Sequence, residues 1–216
     1  MRRLPLLGCL LLVPLTGCAG NSHAATKPAA PATRRVVLRP VTASGMPASD
    51  FTVARHPSEL LSCGSPAEPS EAAVDPGIAH CFPAVEDALA CWPASQPRQA
   101  LCFRDPWQHK LDEIPTDGPL GRVPVVDTPS PLGLELADGS HCSLRSGGVW
   151  APLDGHPELS GSYSCQHDEA VWAAAGKTGI DSSAPAWTVQ VAAAAGHGPL
   201  RTVDVTAAYF VGTASS

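Results

Sequence analysis

The chain has 216 residues, a formal net charge of −6, and only 16% charged and 5% aromatic residues. The low charge content excludes a coiled coil, the absence of a regular Gly repeat excludes a collagen-like chain, and the acidic balance disfavours nucleic-acid binding. Pro and Gly together make up about a fifth of the residues. This composition predicts many turns and short elements rather than long helices.

The N-terminus has the pattern of an export signal. Arg2 and Arg3 precede an apolar stretch that runs from Leu4 to Leu15. This stretch is too short to cross a hydrocarbon core about 30 Å thick, which needs about 20 residues. We therefore expect a cleaved signal rather than a membrane span. The arginine pair also leaves a twin-arginine export route open.

The next four residues, Leu15-Thr16-Gly17-Cys18, resemble the lipobox of bacterial lipoproteins. The resemblance implies that residues 1–17 are a signal peptide and that Cys18 receives a diacylglyceryl group, with a further fatty acid such as palmitate on the new amino group. Two or three acyl chains anchor a protein stably. We therefore expect a lipid-anchored protein on the extracytoplasmic face of the cell membrane. The alternative is an ordinary secretory peptide that ends on a chance cysteine.

The composition of residues 18–49 predicts a tether. This segment is rich in Ala, Pro, Ser and Thr and has a net charge of +4, whereas the chain from Asp50 onward has −12. Basic residues favour contact with an anionic bilayer and an acidic domain favours standing away from it, unless the charges only keep the chain soluble. Within the tether, Val36-Val37-Leu38 predicts an edge strand. The four basic residues are Lys27, Arg34, Arg35 and Arg39.

Six cysteines follow the anchor, and in an exported chain they predict three disulfides, although fifteen pairings exist. We favour the local pairs, each of which contributes about 3 kcal/mol. Zinc is the alternative, because His lies beside Cys at His80-Cys81 and His141-Cys142. Neighbouring residues on a strand point to opposite faces, so we expect neither a metal nor another cofactor. The favoured pairs are Cys63 with Cys81, Cys91 with Cys102, and Cys142 with Cys165.

The rest of the chain predicts short antiparallel strands. Ala84–Ala90 is the one candidate helix. Further on, apolar and polar residues alternate, and Asp138-Gly139 supplies a hairpin turn. We expect one domain over 50–216, mainly β, a disulfide-stapled antiparallel sandwich or curled sheet of about eight short strands with little helix. The clearest predicted strands are Leu132–Leu136, His141–Arg145, Ser162–Gln166, Ala170–Ala174, Trp187–Val191 and Thr202–Val211.

Several stretches are similar to a group of secreted or lipid-anchored actinobacterial proteins. The longest runs from Glu135 to Gly148 as ELADGSHCSLRSGG. The resemblance covers about residues 63–212, and it implies an exported compartment and a disulfide framework but no mechanism. The other stretches are Cys91-Trp92-Pro93, CFRDPW at 102–107, GSYSC at 161–165, AWTVQV at 186–191 and TAAYFVG at 206–212.

No catalytic motif stands out in the sequence. Three adjacent acid pairs are the raw material of glycosidase chemistry, and four histidines are candidate general bases, but none has a partner that the sequence identifies. Trp150 follows Gly147-Gly148 in a predicted loop and is a weak candidate for ligand binding. The acid pairs are Glu86-Asp87, Asp112-Glu113 and Asp168-Glu169, and the histidines are His109, His156, His167 and His197.

These observations favour an envelope lipoprotein that serves as a non-enzymatic binding or structural module, with an envelope component or a protein as its partner. The alternative is an envelope hydrolase acting on glycan or peptidoglycan. Its active site would be an acid pair or a His–Asp pair that sequence order does not reveal. A cleft of at least about 300 Å³ with two convergent titratable groups would favour the enzyme.

Overall fold

The computed structural model describes residues 30–64, 66–81, 86–87, 89–146 and 150–215. Within these ranges all regular secondary structure is β, and no helix is long and apolar enough to cross a membrane. The predicted signal peptide and Cys18 lie outside the described residues. The strands are β1 (Arg34–Thr42), β2 (Thr52–Arg55), β3 (Glu68–Pro69), β4 (Ala79–Cys81), β5 (Glu86–Asp87), β6 (Leu89–Pro93), β7 (Gln99–Phe103), β8 (Lys110–Pro115), β9 (Gly133–Leu136), β10 (His141–Ser146), β11 (Leu159–Cys165), β12 (Glu169–Ala174), β13 (Ile180–Asp181), β14 (Trp187–Ala193) and β15 (Arg201–Ala214).

Six antiparallel strands close into a barrel in the order β9, β10, β11, β12, β14 and β15. Closure follows because β15 pairs with β14 along its first half and with β9 further on. Gly139 adopts a positive φ of 86° in the β9–β10 turn, which is why Asp138-Gly139 makes a hairpin there. Arg201 joins Asp138 and Glu169 by ion pairs, and it ties this turn to the start of β12.

A second sheet of six strands follows the order β2, β8, β7, β6, β4 and β3. One face of this sheet shares a core with the barrel: Trp92, Leu101 and Phe103 belong to the same buried cluster as Tyr163 and Phe210. The opposite face holds a smaller cluster built around two disulfides. Alternation along β6 and β7 explains both clusters, because neighbouring side chains on a strand point to opposite faces.

The predicted mainly β, disulfide-stapled fold is confirmed, and its details differ in three ways. The described chain contains fifteen strands rather than about eight, because many are only two to four residues long and leave no alternation to read. The sheets are not purely antiparallel, since β1 pairs with β15, and β2 with β8, in parallel. A helix over Ala84–Ala90 is wrong for its described residues, which are strand at 86–87 and 89–90.

The fold begins earlier than residue 50. The predicted edge strand at Val36-Val37-Leu38 is confirmed as part of β1. Thr33, just before it, donates its backbone N–H to the Pro185 carbonyl and its hydroxyl to the Val205 carbonyl. Val41 is fully buried in the shared core. Residues from Thr33 to Thr42, which the sequence assigned to the tether, therefore contact the rest of the fold.

Candidate functional site

All six cysteines of the domain are joined in the three local pairs that the sequence favoured. Cys91 lies opposite Cys102 on β6 and β7, and Cys142 lies opposite Cys165 on β10 and β11. Since every one of these sulfurs is bonded to another sulfur, none is a thiolate that can bind zinc. Among the described residues, no group of three or more His, Cys, Asp or Glu side chains is placed to hold a metal ion.

Trp150 packs against other residues of the protein. Its ring lies against Gly161 of β11, where an added Cβ would come within 2.2 Å of a ring carbon. The Arg145 guanidinium sits 4.3 Å from the ring centroid, and Trp172 approaches edge-on at 5.9 Å. Trp150 therefore packs against the outside of the barrel, and the ligand contact expected at this residue stays a prediction.

The acid pairs separate into different environments. Asp112 lies 3.0 Å from both His56 and Arg104, whereas its neighbour Glu113 bonds Arg55. Glu169 is bound by Arg201. Glu86 and Asp87 form β5, which pairs with β10 through the backbone. The carboxylates of Asp112, Glu113 and Glu169 therefore serve ion pairs within the fold.

The four histidines singled out from the sequence have different surroundings. His109 stacks on Phe51 at 4.8 Å, and His156 lies 3.4 Å from Glu158. His167 and His197 are exposed in turns. A fifth histidine, His80, is buried on β4. Burial lowers the pKa of His80, and the carboxylates of Glu71 and Glu68 offset only part of that effect.

One groove of about 360 Å³, here called the Arg55 groove, is lined by Arg55, His56, Pro57, Gln96, Pro97, Gln99, Glu113 and Pro115. It meets the size expected of an active-site cleft, and one of its lining residues, His56, forms a His–Asp pair that the sequence did not reveal. His56 Nε2 lies 3.0 Å from Asp112, while its Nδ1 lies 3.2 Å from Glu59. Both ring nitrogens therefore face carboxylates of the protein in this arrangement.

Asp112 is the centre of that ion-pair network. Burial raises its pKa, but the hydrogen bond with His56 and the charges of Arg104 and Lys110 outweigh burial and hold the pKa below its ordinary value of 3.8. The residue is only 7% exposed. These contacts join β7 and β8 to the residue after β2, so the network stabilises the edge of the second sheet.

A second groove of about 390 Å³, here called the Trp107 groove, lies where β10 and β11 pair on the outer wall of the barrel. It is lined by Asp105, Trp107, Gln108, His141, Ser143, Ser164, Cys165 and Gln166. The loop after β7 forms its other side. Trp107 stacks on His141 with ring centroids 4.2 Å apart and planes 3° from parallel, and Tyr209 meets its edge at 5.7 Å.

Two features fix the shape of the Trp107 groove. Asp105 accepts hydrogen bonds from the Trp107 backbone N–H at 2.9 Å and from the Gln108 side chain at 2.7 Å, which locks the loop into a turn. Gly133 on β9 lets the indole approach the barrel, because an added Cβ there would lie 2.8 Å from a Trp107 ring carbon. The groove is therefore preformed by packing and hydrogen bonds.

Sequence reasoning missed both grooves as sites. From the sequence, Trp107 stood out only as the end of the CFRDPW stretch and His141 only as a neighbour of Cys142, and His56 was not singled out. Trp107 and His141 are 34 positions apart in the chain, and only the packing of the second sheet against the barrel brings them together. No protein-family model, curated protein or solved structure matches this chain.

Proposed function

We propose that this protein is a cell-envelope lipoprotein whose disulfide-tied β domain binds an envelope component without chemical conversion. The observation that carries the proposal is that the domain's six cysteines are all paired. Such pairing suits an oxidising compartment outside the cytoplasm. The lipobox-like sequence that ends at Cys18 supplies the matching export signal and the anchor.

The start of the fold at Thr33 sets the distance from the membrane. Fourteen residues separate Cys18 from Thr33, rather than the longer tether that the sequence indicated. A chain of that length reaches at most about 50 Å when fully extended. The domain would therefore work close to the membrane surface.

Three of the four basic residues assigned to the tether contact the folded domain. Arg34 lies 3.8 Å from Glu135, and Arg39 is 2.5 Å from Asp75. Arg35 lies over the Phe210 ring at 4.7 Å. These three arginines contact the domain, so the proposal relies on the lipid rather than on basic residues for attachment.

The proposal is tested by replacing Cys18 with Ser in the full-length protein and fractionating the cells. We expect the wild-type protein in the membrane pellet after a carbonate wash and the Cys18→Ser variant in the soluble fraction. Cys9→Ser is the matched control, because that cysteine precedes the lipobox and its loss should leave the anchor intact. A Cys18→Ser variant that stays in the washed pellet would refute the lipid anchor.

The hydrolase is a second candidate, favoured only by the His56–Asp112 contact beside the Arg55 groove. Under that alternative, His56→Ala would abolish cleavage of purified peptidoglycan by the full-length protein. Under the binding proposal, neither the wild type nor the variant releases soluble fragments. Fragment release that depends on His56 would decide for the hydrolase.

A further inference from the structure

We propose that the Trp107 groove binds a neutral glycan through the sugar hydroxyl groups. This ligand class rests on the proposed binding function and gives it a place on the surface of the barrel. Four features of the groove support it: its charge, its unused hydrogen-bonding groups, its rigidity and its aromatic wall.

The charge of the lining selects against ionic ligands. Among its described lining residues, Asp105 is the one carboxylate, and there is no lysine or arginine. A phosphate or a sulfated sugar would find no cation to pair with and would meet the Asp105 carboxylate. A strongly basic ligand would find only that carboxylate, which already accepts two hydrogen bonds. A neutral polar ligand fits this lining best.

The groove presents hydrogen-bonding groups that the protein does not use. Ser143 and Ser164 lie directly opposite each other in the register of β10 and β11. Within the described residues neither hydroxyl makes a hydrogen bond inside the protein, and the His141 ring nitrogens make none either. Gln166 accepts from the His141 backbone N–H, which leaves its amide NH₂ group to donate. Hydroxyls, an imidazole and an amide both donate and accept, as sugar hydroxyl groups require.

These groups are held in place before any ligand arrives. The Cys142–Cys165 disulfide crosses between the same two strands one residue away from the serine pair. The Asp105 turn and the Gly133 contact hold Trp107 in place on the other side. A preorganised site loses little conformational entropy on binding, and this matters for a glycan because each hydroxyl contact contributes little by itself.

The aromatic wall gives the groove an apolar side. Trp107 and His141 line it as a stacked pair. A site with apolar rings on one side and a few placed polar groups on the other is the usual form of a small-ligand pocket, and about 390 Å³ falls within the usual range of roughly 300–1,000 Å³. The Arg55 groove lacks this character, since its charged side chains are paired with one another.

The test uses the full-length mature protein in a detergent without a sugar headgroup. Maltohexaose, cellohexaose, mannohexaose and chitohexaose are titrated by calorimetry, beside heparin hexasaccharide and inorganic phosphate as charged probes. The indole N–H signal of Trp107 in a ¹H–¹⁵N spectrum, assigned by its loss in Trp107→Phe, reports whether the ligand lies in this groove. The key variant is Ser143→Ala/Ser164→Ala, and the matched control is Ser95→Ala/Ser183→Ala, which removes two exposed hydroxyls elsewhere.

We expect at least one neutral hexasaccharide to bind with a Kd of about 10 µM to 1 mM and to shift the Trp107 signal. Loss of both groove serines should weaken binding about tenfold, while the control pair binds like the wild type. Equal thermal midpoints for the two double variants show that folding is not the cause. Binding by none of the neutral sugars, stronger binding of a charged probe, or binding that ignores the groove serines overturns the inference. Any of these results leaves the Cys18 test of the anchor unaffected, so the two proposals fail separately.

Discussion

Cys142 and Cys165 face each other across β10 and β11, and Cys165 lines the Trp107 groove. Cys165 is half-buried and lines the Trp107 groove, whereas Cys142 and the other four cysteines of the domain are at most 5% exposed. Cys165 therefore contacts both the apolar core of the barrel and the groove of the proposed ligand.

The difference in exposure predicts the order of reduction. A thiol must reach a sulfur atom to attack it, so limited reduction of the native protein should open Cys142–Cys165 before Cys91–Cys102 or Cys63–Cys81. Alkylation after short exposure to dithiothreitol, followed by peptide mass mapping, gives the order. Earlier labelling of Cys91 and Cys102, both almost fully buried, would show that exposure in the folded state does not control reduction.

Removing the same disulfide should lower stability. The bond closes a loop with a sequence separation of 23, for which the chain-entropy model gives about 3 kcal/mol. We expect Cys142→Ala/Cys165→Ala to reduce the free energy of unfolding by about that amount and the thermal midpoint by roughly 10 °C. Urea unfolding of the two oxidised proteins measures the difference in the free energy of unfolding. Reduction of all three disulfides in the wild type should lower the thermal midpoint more than the loss of this one disulfide does. An unchanged midpoint in either experiment would contradict a structural role for the disulfides.

Gly161 should be intolerant of a side chain. An added Cβ would lie 2.2 Å from the Trp150 ring, so Gly161→Ala should destabilise the protein by about 1–3 kcal/mol through overpacking. Gly118→Ala is the matched control, because nothing lies within 4 Å of its added Cβ. The double variant Trp150→Ala/Gly161→Ala should lose less unfolding free energy than the two single variants lose together. Additive losses would mean that Trp150 does not pack on Gly161.

Asp112 should make stability depend on pH. Its pKa is below 3.8 in the folded protein, so its ion pairs stabilise the fold above that pH and stop doing so as the carboxylate becomes protonated below it. We expect Asp112→Asn to cost about 1–3 kcal/mol at pH 7, and the gap to the wild type to narrow as the pH falls below 3.8. Asp204→Asn, at an exposed carboxylate on β15, should follow the wild type throughout. A gap of constant size from pH 7 to pH 2.5 would contradict the ion-pair account.

The sequence allowed prediction of the parts of the fold that depend on neighbouring residues. The hairpin at Asp138-Gly139 and the three local disulfides follow from alternation, turn residues and spacing, and the structure has them. The parallel pairing of β1 with β15 joins residues about 170 apart and has no local signal. The two-residue strands β3, β5 and β13 are too short to show a period.

The grooves could not be predicted, because each depends on contacts between distant segments. His56 meets Asp112 because β2 pairs with β8 within the second sheet, and Trp107 meets His141 only when that sheet packs against the barrel. Both residues of the Trp107 groove stood in stretches that the sequence had drawn attention to, Trp107 at the end of CFRDPW and His141 beside Cys142. Trp107 lines its groove because Gly133 lets the ring approach and Asp105 holds the loop in a turn. Neither contact has a recognisable sequence signature.

The central claim is that a lipid-anchored, fully disulfide-bonded domain operates outside the cytoplasm. The most direct measurement is the intact mass of the protein purified from its native membrane, before and after reduction and alkylation. The account predicts a chain that begins at Cys18, carries added acyl mass, and takes up six alkyl groups only after reduction, because six cysteines form the three disulfides. A chain without acyl mass, or one with six thiols that react before reduction, would contradict it.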